Sequence, residues 1–182
     1  MPLNELQRDC TGPELVVADP IRGWRTWRIE DEGQLFGSTG RLWTPGTNTA
    51  ACHGDHGVVL RVLDDMFAAD GIEIPDHQVE PWCTCGFYAL NSPSRAIGIY
   101  DVGGVIEAWG RVLLGETGFR AQYAKIVALC GPTATAREHG LTHTSRDEDA
   151  VEAERVAVAD RYGVPYHHTL NDLAHQYGEE VS

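Results

Sequence analysis

Lysine is almost missing from this chain. Of fourteen basic residues only Lys125 is a lysine, and the rest are arginines. Guanidinium and ammonium groups differ in chemistry, but no local requirement imposes such a ratio over a whole surface. The bias reads as the codon usage of a GC-rich genome. Positive charge of any kind is also scarce: 14 basic side chains stand against 27 acidic ones, for a formal net charge of −13. A surface of that sign repels phosphate, which excludes a broad nucleic-acid or anionic-membrane footprint and leaves a basic protein partner as the natural complement.

Long apolar runs are missing too. No stretch approaches the roughly 18 apolar residues that a membrane-crossing helix needs, and Met1 to Cys10 holds no apolar segment of the secretory kind. A cytoplasmic location is therefore expected. Five cysteines in such a chain predict thiols or metal ligands in place of a disulfide framework. Several catalytic signatures are absent as well. There is no G-x-S-x-G elbow and no H-E-x-x-H helix, and Gly110 to Gly118 lacks the Lys-Ser/Thr of a phosphate loop. His77 to Cys83 has the wrong spacing for a zinc deaminase.

At 182 residues the chain is one domain, or one domain with an appendage. Three segments are expected: an arm over 1–22, a β-rich domain over 23–131, and a helical appendage over 132–182. Within the second, Leu35-Phe36 and Leu42-Trp43 read as short strands between glycine turns. Val58 to Asp70 has its apolar residues on one helical face, with Gly71 suited to the position past its end. Val105 to Leu114 reads as a strand with a glycine break, and Phe119 to Leu129 as a strand or short helix. Ser145-Arg146-Asp147-Glu148 fits a capping box for a helix ending near Tyr162 and closed by Gly163. Thr169 caps a last helix through Tyr177. The fold class expected is α+β, with short antiparallel strands, a barrel-like closure as one form, and C-terminal helices.

One constellation carries chemistry, Cys83-Thr84-Cys85-Gly86. Cysteines at i and i+2 of a strand face the same side, while a disulfide between them would need a strained ring. They predict half of a tetrahedral zinc site. Cys52 and His77 are the first choices for the other two ligands; His53 and His56 are the alternatives. A closed thiolate-rich site of this kind is structural.

These residues also resemble a family of uncharacterised proteins from actinobacteria and their phages. The resemblance rests on Gly23-Trp24-Arg25-Thr26-Trp27, Trp43-Thr44-Pro45-Gly46, Ala51-Cys52 and Cys83-Thr84-Cys85-Gly86-Phe87-Tyr88-Ala89. It continues in Gly104-Val105-Ile106-Glu107-Ala108-Trp109-Gly110-Arg111-Val112, Gly118-Phe119-Arg120-Ala121 and Tyr162-Gly163-Val164-Pro165. It implies no activity. The function expected is thus a non-enzymatic, zinc-stabilised module that modulates a protein partner of the host or phage, with Trp109, Arg111 and Arg120 as a candidate interaction groove. The alternative is a hydrolase or transferase drawing on Glu107, Glu116, Arg111, Arg120 and His77. A third reading is a local nucleic-acid binder using Arg22, Arg25, Arg28 and Arg41 among tryptophans.

Overall fold

The computed structural model describes residues 12–37, 40–50, 79, 85–93, 101–131 and 148–178. Eight strands form one sheet: β1 (Glu14–Glu30), β2 (Gln34–Phe36), β3 (Leu42–Trp43), β4 (Asn48–Thr49), β5 (Phe87–Leu90), β6 (Val102–Leu114), β7 (Gly118–Cys130) and β8 (Tyr166–His167). Two helices, α1 (Glu148–Tyr162) and α2 (Leu170–Tyr177), lie in the C-terminal part. The fold is mixed α+β and mostly antiparallel; among the described strands β8 alone pairs in parallel, with β7.

Three strands dominate, with 17, 13 and 13 residues in β1, β6 and β7. Strands of this length twist and coil on their own, and slips in their ladders add to the bend. The β1–β6 register shifts between Val17 and Ile21, around Pro20, which has no N–H to donate. The β6–β7 register shifts twice, between Val105 and Ile106 and between Trp109 and Val112. Bulges of this kind bend a strand and increase its twist. Here they carry the sheet round until β7 pairs with β5, and β5 meets β1 through the single bridge Trp24↔Leu90. The circuit β1–β6–β7–β5 is therefore a near-closed ring.

Alternation along β1 separates two cores. Trp27 points into the larger one and meets Trp43 edge to face, with ring centroids 5.4 Å apart; Phe87 continues the stack at 4.8 Å from Trp43. Trp24 points the other way, onto Leu173 of α2, with Val105, Ala128 and Cys130. Gly23 sits where β1, β5 and β7 converge. A Cβ there would lie 2.6 Å from both Ala89 Cβ and Phe119 Cε1, so only glycine lets the seam close.

The C-terminal elements belong to the same body as the sheet. Val158, Ala159 and Tyr162 of α1 join the larger core. The Tyr162 hydroxyl accepts from the Leu35 N–H at 3.0 Å and donates to the Trp43 carbonyl at 2.7 Å, tying β2 and β3 to the helix. The Asp101 carboxylate accepts from the Ile29 N–H at 2.9 Å, and its carbonyl accepts from Arg155 Nε at 2.7 Å. The Thr169 hydroxyl accepts from the Asp172 N–H at 3.1 Å, as expected of a cap.

The structure adds to the sequence reading in three places. The stretch read as an arm, 1–22, contributes its residues from Glu14 onward to the longest strand. The principal strands are long, because Gly110 bends β6 without ending it. Residues 132–182, read as a helical appendage, supply α1 and α2 to the two cores and β8 to the sheet. The expected helix over 58–70 and residues 145–147 of the capping box lie outside the described residues, while its Glu148 begins α1.

Candidate functional site

β5 is the weakest link of the ring and the most heavily braced. It has four residues, four rungs to β7 and one bridge to β1. Cys85 and Gly86 lead into it. Gly86 has φ +111°, a conformation that suits glycine, and a Cβ there would lie 3.1 Å from the Ala121 carbonyl oxygen. Two buried arginines grip the backbone on either side of this turn. Arg120, only 1% exposed, donates from Nη1 to the Cys85 carbonyl at 3.1 Å. Arg25 donates from Nη1 to the Tyr88 carbonyl. Each guanidinium also lies over a ring: Arg25 is 4.9 Å from the centroid of Trp43, and Arg120 is 5.9 Å from that of Tyr88. Arg41 covers Phe87 at 5.0 Å. Cation–aromatic contacts of this kind gain strength when desolvated.

Cys85 is thus a half-buried thiol on a backbone that a buried cation holds in place. Among the other predicted ligands, Cys52, His77 and Cys83, with His53 and His56 as alternatives, lie outside the described residues. Among the described residues, no group of three or more His, Cys, Asp or Glu side chains is gathered to hold a metal ion.

Of the proposed groove residues, Trp109 and Arg111 are half-buried on β6 and Arg120 is buried on β7. Trp109 stacks on Tyr123 across the β6–β7 ladder, with centroids 6.0 Å apart. Arg111, beside it at the bulge, pairs with Glu14 at 3.2 Å, and its N–H donates to Gln122 Oε1 at 3.3 Å. Arg120 is buried under β5.

Glu107, the leading candidate acid, sits between two cations: Arg22 Nε at 3.5 Å and Lys125 Nζ at 3.0 Å. These are its cross-strand neighbours on β1 and β7, so the trio is a rung of charge across three strands. Glu116 is exposed in the β6–β7 turn. The N-terminal arginines form no single patch. Arg22 joins the Glu107 rung, Arg28 pairs with Glu30 at 3.1 Å, and Arg25 and Arg41 serve β5.

One polar cluster escaped the sequence reading. Glu152 of α1 accepts from Tyr166 Oη at 2.9 Å, shares a 2.7 Å hydrogen bond with His168 Nδ1, and pairs with Arg155 at 3.4 Å. Burial pushes its carboxyl up, but the hydrogen bonds from His168, Tyr166 and Arg155 outweigh that and hold it below the ordinary range. Tyr166 is pushed up, first by burial and then by its bond to Glu152. The only available signal was that Glu152 and Arg155 share a helix face; nothing local points to Tyr166 or His168. Cys130, fully buried, is raised to about 12 by desolvation, against small opposing effects of Arg155 and the Gly103 N–H. A thiol of that kind is inert.

No protein-family description matches the chain, and neither a curated protein nor a solved structure is significantly similar to it.

Proposed function

We propose that the chain is a non-enzymatic interaction protein of an actinobacterium or one of its phages, whose β ring is fastened by one structural zinc ion and which modulates a protein partner. The observation that supports it is the position of Cys85. It stands at the entrance to the one short strand that closes the ring, with a buried arginine on its carbonyl.

The donor set suits zinc. Cys52, Cys83 and Cys85 with His77, or with His53 or His56 in its place, would supply thiolates and an imidazole for a closed tetrahedral site. Zinc there would add folding energy at the seam, because the unfolded chain offers no preformed site. The Arg120 guanidinium, bonded to the Cys85 carbonyl, would offset part of the negative charge of a thiolate-rich centre there. Glu107, the first candidate for acid–base work, lies between two cations, and Arg111, a candidate for anion binding, pairs with Glu14.

Elemental analysis of protein purified without added metal tests the zinc. About one equivalent per chain is expected, lost in Cys85→Ser; a value near zero in a fully stable protein defeats the proposal. Affinity capture from a GC-rich bacterial lysate tests the partner, and a bait that retains no stoichiometric prey counts against it.

A further inference from the structure

Among the described residues, the first half of β1 has a neighbour on one side only. Glu14 to Val17 pair with Gly110 to Leu113 of β6. Among the described residues no strand lies along the opposite edge of that stretch, since β5 and β2 join β1 only from Trp24 onward. Val16 is 80% exposed and Leu15 44%, the two most prominent apolar side chains on β1. An open edge of this kind presents unpaired N–H and C=O groups to any extended chain that fits. Its length is limited: Pro20 and the register shift beside it end the usable edge after about Ala18.

We propose that the Glu14–Ala18 edge of β1 is a docking site for an extended basic segment of a partner protein, which adds to the sheet as a further strand. This rests on the interaction reading above and specifies its surface. The ladder would provide main-chain hydrogen bonds, and Leu15 and Val16 the side-chain contacts on the two faces. Charge selects the occupant. The exposed Asp19 lies at one end of the apolar stretch, Glu14 at the other is already paired with Arg111 at 3.2 Å, and the chain as a whole carries −13. A second copy would bring like charges together across the new pair, which destabilises it; lysines and arginines would meet their complement.

The test uses the protein as purified and three synthetic ten-residue peptides. One alternates lysine with valine, one alternates glutamate with valine, and the third is the lysine peptide N-methylated at alternate residues. Amide exchange is read residue by residue. The lysine peptide should slow exchange at the amides of 14–18 that face away from β6. The other two should need roughly tenfold or more higher concentration for the same effect, a difference of about 1.4 kcal/mol. L15K/D19K, two exposed changes whose folding is checked by thermal melting, should weaken the lysine peptide to a similar degree. No protection with the lysine peptide, equal effects from the glutamate or N-methylated peptide, or an edge already protected in a sedimenting dimer each overturns the assignment. A lysate partner retained equally by wild type and L15K/D19K removes the edge while sparing the interaction reading; no partner on either bait counts against that reading, and the peptide result still decides the edge.

Discussion

The two sides of the ring are built differently. Between β1, β6 and β7 the ladders are long, running from Glu14 to Trp27 and from Gly103 to Cys130. At β5 the closure rests on four residues and one bridge to β1. The first side holds itself by cross-strand pairing and apolar burial. The second needs braces drawn from elsewhere: Arg120 and Arg25 on its carbonyls, Arg41 and Trp43 around Phe87, and, in our account, a zinc ion at Cys85. A short strand cannot pay the entropy of ordering with its own hydrogen bonds, so the chemistry gathers where the ladder is thinnest.

Substitutions sharpen this contrast. Trp27→Ala should be the most damaging, at about 3–5 kcal/mol, because it empties the core between the two sides. Urea unfolding would measure it, and a loss under 1 kcal/mol would mean that the stack carries little. Gly23→Val should follow at about 1–3 kcal/mol by overpacking. Its particular mark would be faster exchange in 87–90 than in 102–130, since the added atoms strike Ala89 and Phe119 at the seam.

Tyr162→Phe should cost about 1–3 kcal/mol, because it leaves the Leu35 N–H and the Trp43 carbonyl unpaired in the core. It acts away from the seam, so amides of 34–43 should lose protection and those of 87–90 should not. The smallest effect concerns Glu152. Its folded carboxyl lies below the ordinary value of 4.5, so its contribution is full above that value and is lost as the pH falls through the folded one. Glu152→Gln should lower stability near neutral pH by about 1 kcal/mol or less, given solvent screening, and should flatten the acid side of a melting-temperature profile. An unchanged profile would show that the cluster contributes nothing.

What the sequence disclosed and what it hid divide along the same line. Local signals were readable: the glycine-bounded pairs at Leu35-Phe36 and Leu42-Trp43, the helix end at Tyr162-Gly163, and the Thr169 cap. Each depends on residues within a few positions of one another. A barrel-like closure was among the expected forms, but the pairs that make it were not readable, because Trp24↔Leu90 joins residues far apart. Arg25 read as part of a base-stacking cluster and Arg120 as part of a groove; their partners are the carbonyls of Tyr88 and Cys85, which no composition reveals. Of the candidate metal site, Cys83 and Cys85 stood out by spacing alone, and only Cys85 is among the described residues.

Hydrogen exchange on the zinc-loaded and chelated protein tests the zinc-fastened seam most directly. Removal of the metal should raise exchange at 85–90 by about tenfold or more, the effect of losing roughly 1.4 kcal/mol of local stability, while the β6–β7 ladder over 102–130 keeps its protection. Unchanged exchange at 85–90, with any loss confined to α1 and α2, would contradict the account and place the metal elsewhere.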